Sequence, residues 1–165
     1  MPCEPRSPVR HAKYARFRRP LHPYNFVQIM NTFHRLRSVP GIGKVLALVL
    51  LYEIHEIRRF PSVGDFLSYA RLVRCVHTSA DKKLGSGGKK IGNAHLRWAF
   101  AEAACLFLRQ SERAKQWLQR QEKKRGKGKA LGILAAKLGR TVYHLLTKQV
   151  AFEERRFWND GTGQR

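Results

Sequence analysis

Apolar residues in this chain recur at the three-and-four spacing of helices, and no stretch alternates apolar and polar side chains as a half-buried strand does. That pattern points to an all-α fold. Its sharpest punctuation is Ser38-Val-Pro-Gly-Ile-Gly-Lys44, set between an apolar-periodic stretch that ends near Leu36 and another that opens at Val45. Two glycines flanking one aliphatic residue permit positive φ and a close backbone approach. Val45, Leu46, Ala47 and Leu50 then read as the start of a second helix, so 36–57 reads as a helix-hairpin-helix. The free N–H groups that open such a helix, with Gly41, Gly43 and Lys44, make an anion site suited to a backbone phosphate. An ordinary tight turn between packed helices is the plainer alternative.

The charge favours phosphate. Lys and Arg number 33 against 11 Asp and Glu, a formal charge of +22. Such an excess makes a compact monomer repel itself unless a polyanion neutralises it. Nucleic acid is the expected partner, with binding that falls as salt rises; an acidic membrane surface is the weaker option. No apolar run approaches the ~20 residues that span a bilayer. The basic, proline-rich N-terminus carries no secretory apolar region. Cys3, Cys75 and Cys105 are odd in number and widely spaced, as free thiols of a reducing compartment are, and no zinc spacing is present. A cytoplasmic protein with neither membrane partner nor metal of its own is expected.

Residues 1–23, with the run Arg16-Phe-Arg-Arg19, lack apolar periodicity and read as a disordered basic arm. A helical domain over 24–158 and a short tail over 159–165 follow. The first helix carries Phe26, Ile29, Met30, Phe33 and Leu36 on one face, and the second runs from Val45 to about Ile57. Ser62 caps a third helix reaching Val73, Asn93 a fourth with Leu96, Phe100, Ala103, Phe107 and Leu108 in a stripe, and Ser111 a basic helix to Lys124. The last carries Leu131, Leu134, Ala135, Leu138, Val142 and Leu145. Lys123-Lys-Arg-Gly-Lys-Gly-Lys129 reads as a charged connector. Cys75 to Gly92 has no core face, and so long a loop in a small domain is more often functional than idle.

Within that loop, His77-Thr-Ser-Ala-Asp-Lys-Lys83 sets a hydroxyl among a histidine, a carboxylate and two lysines. A serine attacking a phosphodiester needs cations to hold the phosphate and stabilise developing charge, a part open to Lys82 and Lys83. On residue types alone, Ser79 is more often a turn residue. Gly85-Ser-Gly-Gly-Lys-Lys90 lacks P-loop spacing, so Lys89 and Lys90 are read as phosphate contacts and nucleotide hydrolysis is set aside. Asp65 stands about as far beyond the hairpin as the catalytic Asp of base-excision glycosylases, but its context is the first turn of a capped helix, where the dipole favours a carboxylate. Trp98 falls off the main stripe beside Arg97. The densest basic segment runs from Arg109 through Lys123, Lys124, Arg125 and Lys127 to Lys129, suited to backbone contacts without sequence readout.

Several segments together resemble one family: Leu36-Arg-Ser-Val-Pro-Gly-Ile-Gly-Lys-Val-Leu-Ala47, Arg59-Phe-Pro61, Ser68-Tyr-Ala-Arg-Leu-Val73, Lys89-Lys-Ile-Gly-Asn-Ala-His-Leu-Arg97, Glu102-Ala-Ala104 and Gly128-Lys-Ala130. In that order they resemble the C-terminal domain of insertion-sequence transposases related to the Piv-type DNA invertases, over roughly Leu36 to Phe157. The resemblance implies a serine nucleophile in this domain, four acidic Mg²⁺-binding residues in a separate RuvC-like domain, an active site assembled across subunits, and a guiding RNA in some members. It places the serine about a dozen residues before the Gly-Asn pair. Ser79, thirteen before Gly92, fits that spacing, whereas Ser86 lies six before it. The family's frequent Ser-Gly-Gly is Ser-Ala-Asp here.

About 35 residues precede the resemblance and hold one acid, Glu4, too few for a RuvC-like domain. The expectation is therefore a DNA-binding, serine-bearing transposase portion, a truncated copy inactive alone, with DNA and in some settings a guide RNA as partners. It would act as a homo-oligomer or mixed with a full-length transposase, and any Mg²⁺ would belong to the absent acidic domain. A non-enzymatic helix-hairpin-helix module, structural or regulatory, is the alternative.

Overall fold

The computed structural model describes residues 26–73, 78–79, 82–83 and 92–159, the two short pairs by backbone alone. The basic arm, the tail beyond 159, Cys3, Cys75, Ser86, Lys89 and Lys90 lie outside the described residues. The chain folds as α1 (Phe26–Arg37), α2 (Lys44–Ile54), a 3-10 turn (Ile57–Arg59), α3 (Val63–Tyr69), β1 (Thr78–Ser79), β2 (Lys82–Lys83), α4 (Ala94–Gln110), α5 (Glu112–Arg125), α6 (Lys127–Lys148) and α7 (Glu154–Asn159). The fold is all-α, as its periodicity predicts; β1 and β2 add only a two-residue antiparallel rung.

Local side chains start three of these helices. Ser62 Oγ accepts from Asp65 N–H at 3.2 Å, Asn93 Oδ1 from His95 and Leu96 N–H at 2.9 and 3.0 Å, and Ser111 Oγ from Ala114 N–H at 3.3 Å. Each satisfies donors that a helix start leaves orphaned, typically worth about 1 kcal/mol. Asp65 is committed to this task, its carboxylate accepting the Ser62 hydroxyl at 2.8 Å.

Helices α4 and α6 form the central pair. The former buries Leu96, Phe100, Ala103 and Phe107, the latter Leu134, Leu138, Val142 and Leu145. The first three helices close one side, with Phe66 edge-on to Phe100 at 6.1 Å between centroids. Tyr143 on α6 donates its hydroxyl to Phe60 O at 3.1 Å, pinning the chain after the 3-10 turn. Leu36 is the one fully buried residue of α1 and Phe33 packs partly buried against the core, while Phe26 is exposed, so the expected apolar face meets the core only in the second half of the helix.

The charged connector is no connector. Gly126 alone, at φ +84°, separates α5 from α6, and the lysines on either side belong to helices. Helix α7 escapes the sequence pattern as well. Its Phe157 is buried against Phe107, and Trp158 stacks near Phe107 and Trp117. Lys137 of α6 is buried beneath them, its ammonium 4.9 Å from the Phe157 ring centroid and 5.3 Å from that of Trp158. Ring quadrupoles attract such a cation. No helix among the described residues is long and apolar enough to cross a membrane.

Candidate nucleic-acid interface

The two hairpin glycines have opposite surroundings. Gly41, at φ +86°, is buried and donates its N–H to Gln110 Oε1 at 3.0 Å. A Cβ there would stand 2.5 Å from Ala103 O and 2.6 Å from Phe107 N, inside the backbone of α4. Val39 and Ile42 fill the core on either side. Gly43 is exposed in extended conformation, with nothing within 4 Å of where its Cβ would be. It is the N-cap of α2, and no side chain caps that end. The first closing bond is Ala47 N–H to Gly43 O at 2.9 Å, so the N–H groups of Lys44, Val45 and Leu46 open the helix beside an exposed lysine. Gly41 holds the hairpin to α4; Gly43 leaves a positively polarised helix end open to an anion.

The start of α6 repeats this arrangement. Gly126 is its N-cap, again without a side-chain cap. Lys123, Lys124 and Arg125 form the last turn of α5, and Lys127 and Lys129 the first turn of α6; all five are exposed. Lys115 pairs with Glu112 at 2.9 Å, and Arg113 lies over Trp158 at 5.5 Å.

The Ser79 loop is closed at a defined neck. Asn93 N–H donates to Tyr69 O at 2.7 Å, joining the end of α3 to the start of α4 across the loop. Gly92, at φ +107°, allows that approach, since a Cβ there would meet Tyr69 O at 2.6 Å. While Oδ1 of Asn93 caps α4, its Nδ2 donates to Glu53 Oε2 of α2 at 2.6 Å. Arg59 covers Tyr69 and Phe60 with its guanidinium at 4.8 and 4.6 Å and donates to Glu53 O at 3.1 Å. Asn93 thus ties three helices together where the loop leaves and returns. Inside the loop, the rung sets Ser79 opposite Lys82 and Thr78 opposite Lys83.

Arg97 is exposed on α4, and so is Trp98, outside the core stripe. A further groove, of about 380 Å³, runs between α6 and the segment leading into α7, its apolar floor of Leu145, Val150 and Phe152 rimmed by Arg140, His144, Lys148 and Arg156. Arg156 is paired with Glu153 at 2.8 Å. Sequence reasoning missed this groove, although Arg140, His144 and Lys148 stand one turn apart on one helix face and set two cations on it. No three His, Cys, Asp or Glu side chains among the described residues are grouped to hold a metal ion.

These features lie largely in a segment with known counterparts. The model of the transposase IS116/IS110/IS902 family matches residues 33–119, from the last turns of α1 through the hairpin, the loop neck and α4 into α5. The chain belongs to this family. The transposase for insertion sequence element IS1111A of Coxiella burnetii is 29% identical over 122 residues, 72% of this chain and 34% of that protein. The transposase for insertion sequence element IS1328 of Yersinia enterocolitica is 26% identical over 127 residues, 74% of this chain and 38% of that protein. This family member spans about a third of the length of the curated relatives it matches. Its basic α5–α6 junction lies just beyond the family match.

Proposed function

We propose that this chain is the DNA-binding C-terminal part of an insertion-sequence transposase of the Piv-related kind, acting in DNA transposition. The observation that best supports binding is the pairing of uncapped, open helix ends at Gly43 and Gly126 with exposed cations. Backbone phosphates sit at those ends, held by the N–H groups after Gly43, by Lys44, and by Lys123, Lys124, Arg125 and Lys127. Arg97 and the loop lysines Lys82, Lys83, Lys89 and Lys90 extend the contact. None of these groups reads base edges, so binding is to the backbone and largely independent of sequence. A guide RNA is a second polyanion that the same surface suits.

In this reading Ser79 is the nucleophile. Its hydroxyl oxygen attacks a scissile phosphorus and displaces a deoxyribose hydroxyl, leaving a phosphoserine link that the reverse attack resolves. Lys82 and Lys83 stabilise charge on the phosphoryl oxygens. Mg²⁺ and its acidic ligands belong to a RuvC-like domain outside these residues. With that domain supplied in trans, Ser79→Ala is expected to abolish strand exchange while leaving DNA binding within about twofold, since one neutral hydroxyl makes little of a backbone contact. Exchange retained by the variant would remove Ser79 from the chemistry.

The α2 terminus has its own test. Gly43→Asp places a favoured N-cap residue in open space, in extended backbone that suits it. Thermal stability should hold or rise slightly. Affinity for duplex DNA should fall about tenfold, because the carboxylate occupies the anion's place and repels it. Unchanged affinity would show that phosphate sits elsewhere.

A further inference from the structure

Helix α2 is apolar on every side, yet only one side of it is used. Leu46, Ala47, Leu50 and Ile54 are buried, whereas Val45, Leu48 and Tyr52 are 69, 55 and 74% exposed. Those three stand at i, i+3 and i+7, the seam spacing of paired helices. Across a shallow groove of about 410 Å³, Trp98 of α4 continues the apolar surface at 52% exposure.

The chemistry of this face is unlike that of the rest of the molecule. One residue in five of the chain is Lys or Arg, yet none occurs from Val45 to Ile57. A phosphate backbone would find no cation along it. The two ends of α2 are also oppositely polarised. Its uncapped N-terminus carries Lys44; its C-terminal end carries Glu53 and, just beyond, Glu56, with no basic residue in the last turn. A partner that fits must be apolar in the middle, negative near Lys44 and positive near Glu53. A second α2 running antiparallel meets all three conditions.

We propose that the Val45–Leu48–Tyr52 face of α2 seats a second copy of this chain across a two-fold axis. In the register that centres the axis between Leu48 and Val49, Val45 packs beside the partner subunit's Tyr52, and the two Leu48 side chains meet near the axis. Each positive helix end then lies beside a negative one. The surface is self-complementary, as an isologous contact requires. The apolar centre of the face, Val45, Leu48 and Tyr52, holds none of the cations assigned to phosphate, whereas the helix end at Lys44 serves both readings, so a phosphate and the negative end of a second α2 compete for it.

Salt separates the two. Screening relieves repulsion between two chains of +22 each, so self-association should strengthen as salt rises, whereas nucleic-acid binding weakens. The test is sedimentation equilibrium of the nuclease-treated full chain at ~50 μM, moving from about 0.1 M to about 0.5 M salt. The 19.1 kDa chain should shift toward twice that mass at the higher salt. Leu48→Glu sets two carboxylates against each other at the axis and should lower the association constant at least tenfold, with the melting temperature unmoved in dilute, low-salt solution where both chains are monomeric, because residue 48 is exposed and Glu suits a helix. Arg120→Glu, the control on exposed α5, should keep the dimer. A wild-type monomer at every salt concentration, or a dimer that survives Leu48→Glu, overturns the proposal. A monomeric wild type whose binding to single-stranded DNA falls on Leu48→Glu would give the face to nucleobases and overturn it equally.

Discussion

Replacing Gly41 by alanine is expected to cost about 3 kcal/mol or more of folding stability, while the same change at Gly43 is expected to cost less than about 0.5 kcal/mol. Two penalties coincide at Gly41. Its φ of +86° is one that an L residue adopts only with strain. Its added methyl would also overlap Ala103 O and Phe107 N, backbone atoms of a helix whose interior face is wholly buried. Backbone cannot turn aside as a side-chain tip can, so α4 and the hairpin must separate, and the Gln110 bond to Gly41 N–H goes with them. Against a total stability of roughly 5–15 kcal/mol, the loss should shift a urea midpoint by about 1 M or more, taking a slope of about 1–3 kcal/mol per molar. A midpoint unchanged in Gly41→Ala would mean that the hairpin does not dock on α4 as described. The contrast also matters for function: weakened DNA binding in a Gly41 variant reports unfolding, and only Gly43 tests the anion site.

That division of labour shows what local sequence conveys. Ser62, Asn93 and Ser111 are legible as caps because an N-cap bond spans two or three residues and depends on nothing else. The stripe of Leu96, Phe100, Ala103 and Phe107 is legible because one buried face imposes one period. The hairpin is visible in the sequence as a hairpin. Which of its glycines faces the protein is not, since that depends on Ala103 and Phe107, more than sixty residues away. Helix α2 hides its outer face for another reason: a helix apolar all round gives no sign of which side packs. The run around Gly126 misleads because solvated helical turns carry no apolar period, so two basic helix ends look like a linker. Helix α7, six residues long, is too short to hold itself and exists through Phe157, Trp158 and the lysine beneath them. For the candidate site, Asn93 is legible as a cap, while its bonds to Glu53 and Tyr69 need three helices brought together.

The largest effect expected on binding is that of salt. If the open helix ends and the α5–α6 cations each meet backbone, the chain neutralises about six phosphates, and affinity for duplex DNA should fall about a thousandfold between roughly 50 and 200 mM monovalent salt. The cause is release of condensed counterions, so the loss should be nearly the same for any duplex sequence. The logarithmic slope then measures how many cations take part. Changing Lys123, Lys124 and Lys127 together to alanine should make that slope shallower by about 2.7, at roughly 0.9 for each phosphate no longer neutralised. All three side chains are exposed at helix ends, so the fold should not suffer. Adding Lys44→Ala should lower it by about 0.9 again, since the hairpin and the junction share no side chain and their contributions add. Titration by fluorescence anisotropy at four salt concentrations gives each slope. A slope below about 2 in the unaltered chain would mean that the basic residues are merely solvated. A steep slope left unchanged by the triple substitution would shift the phosphates to other cations, those of the loop or the groove beside Arg140 and Lys148, which sequence reasoning passes over.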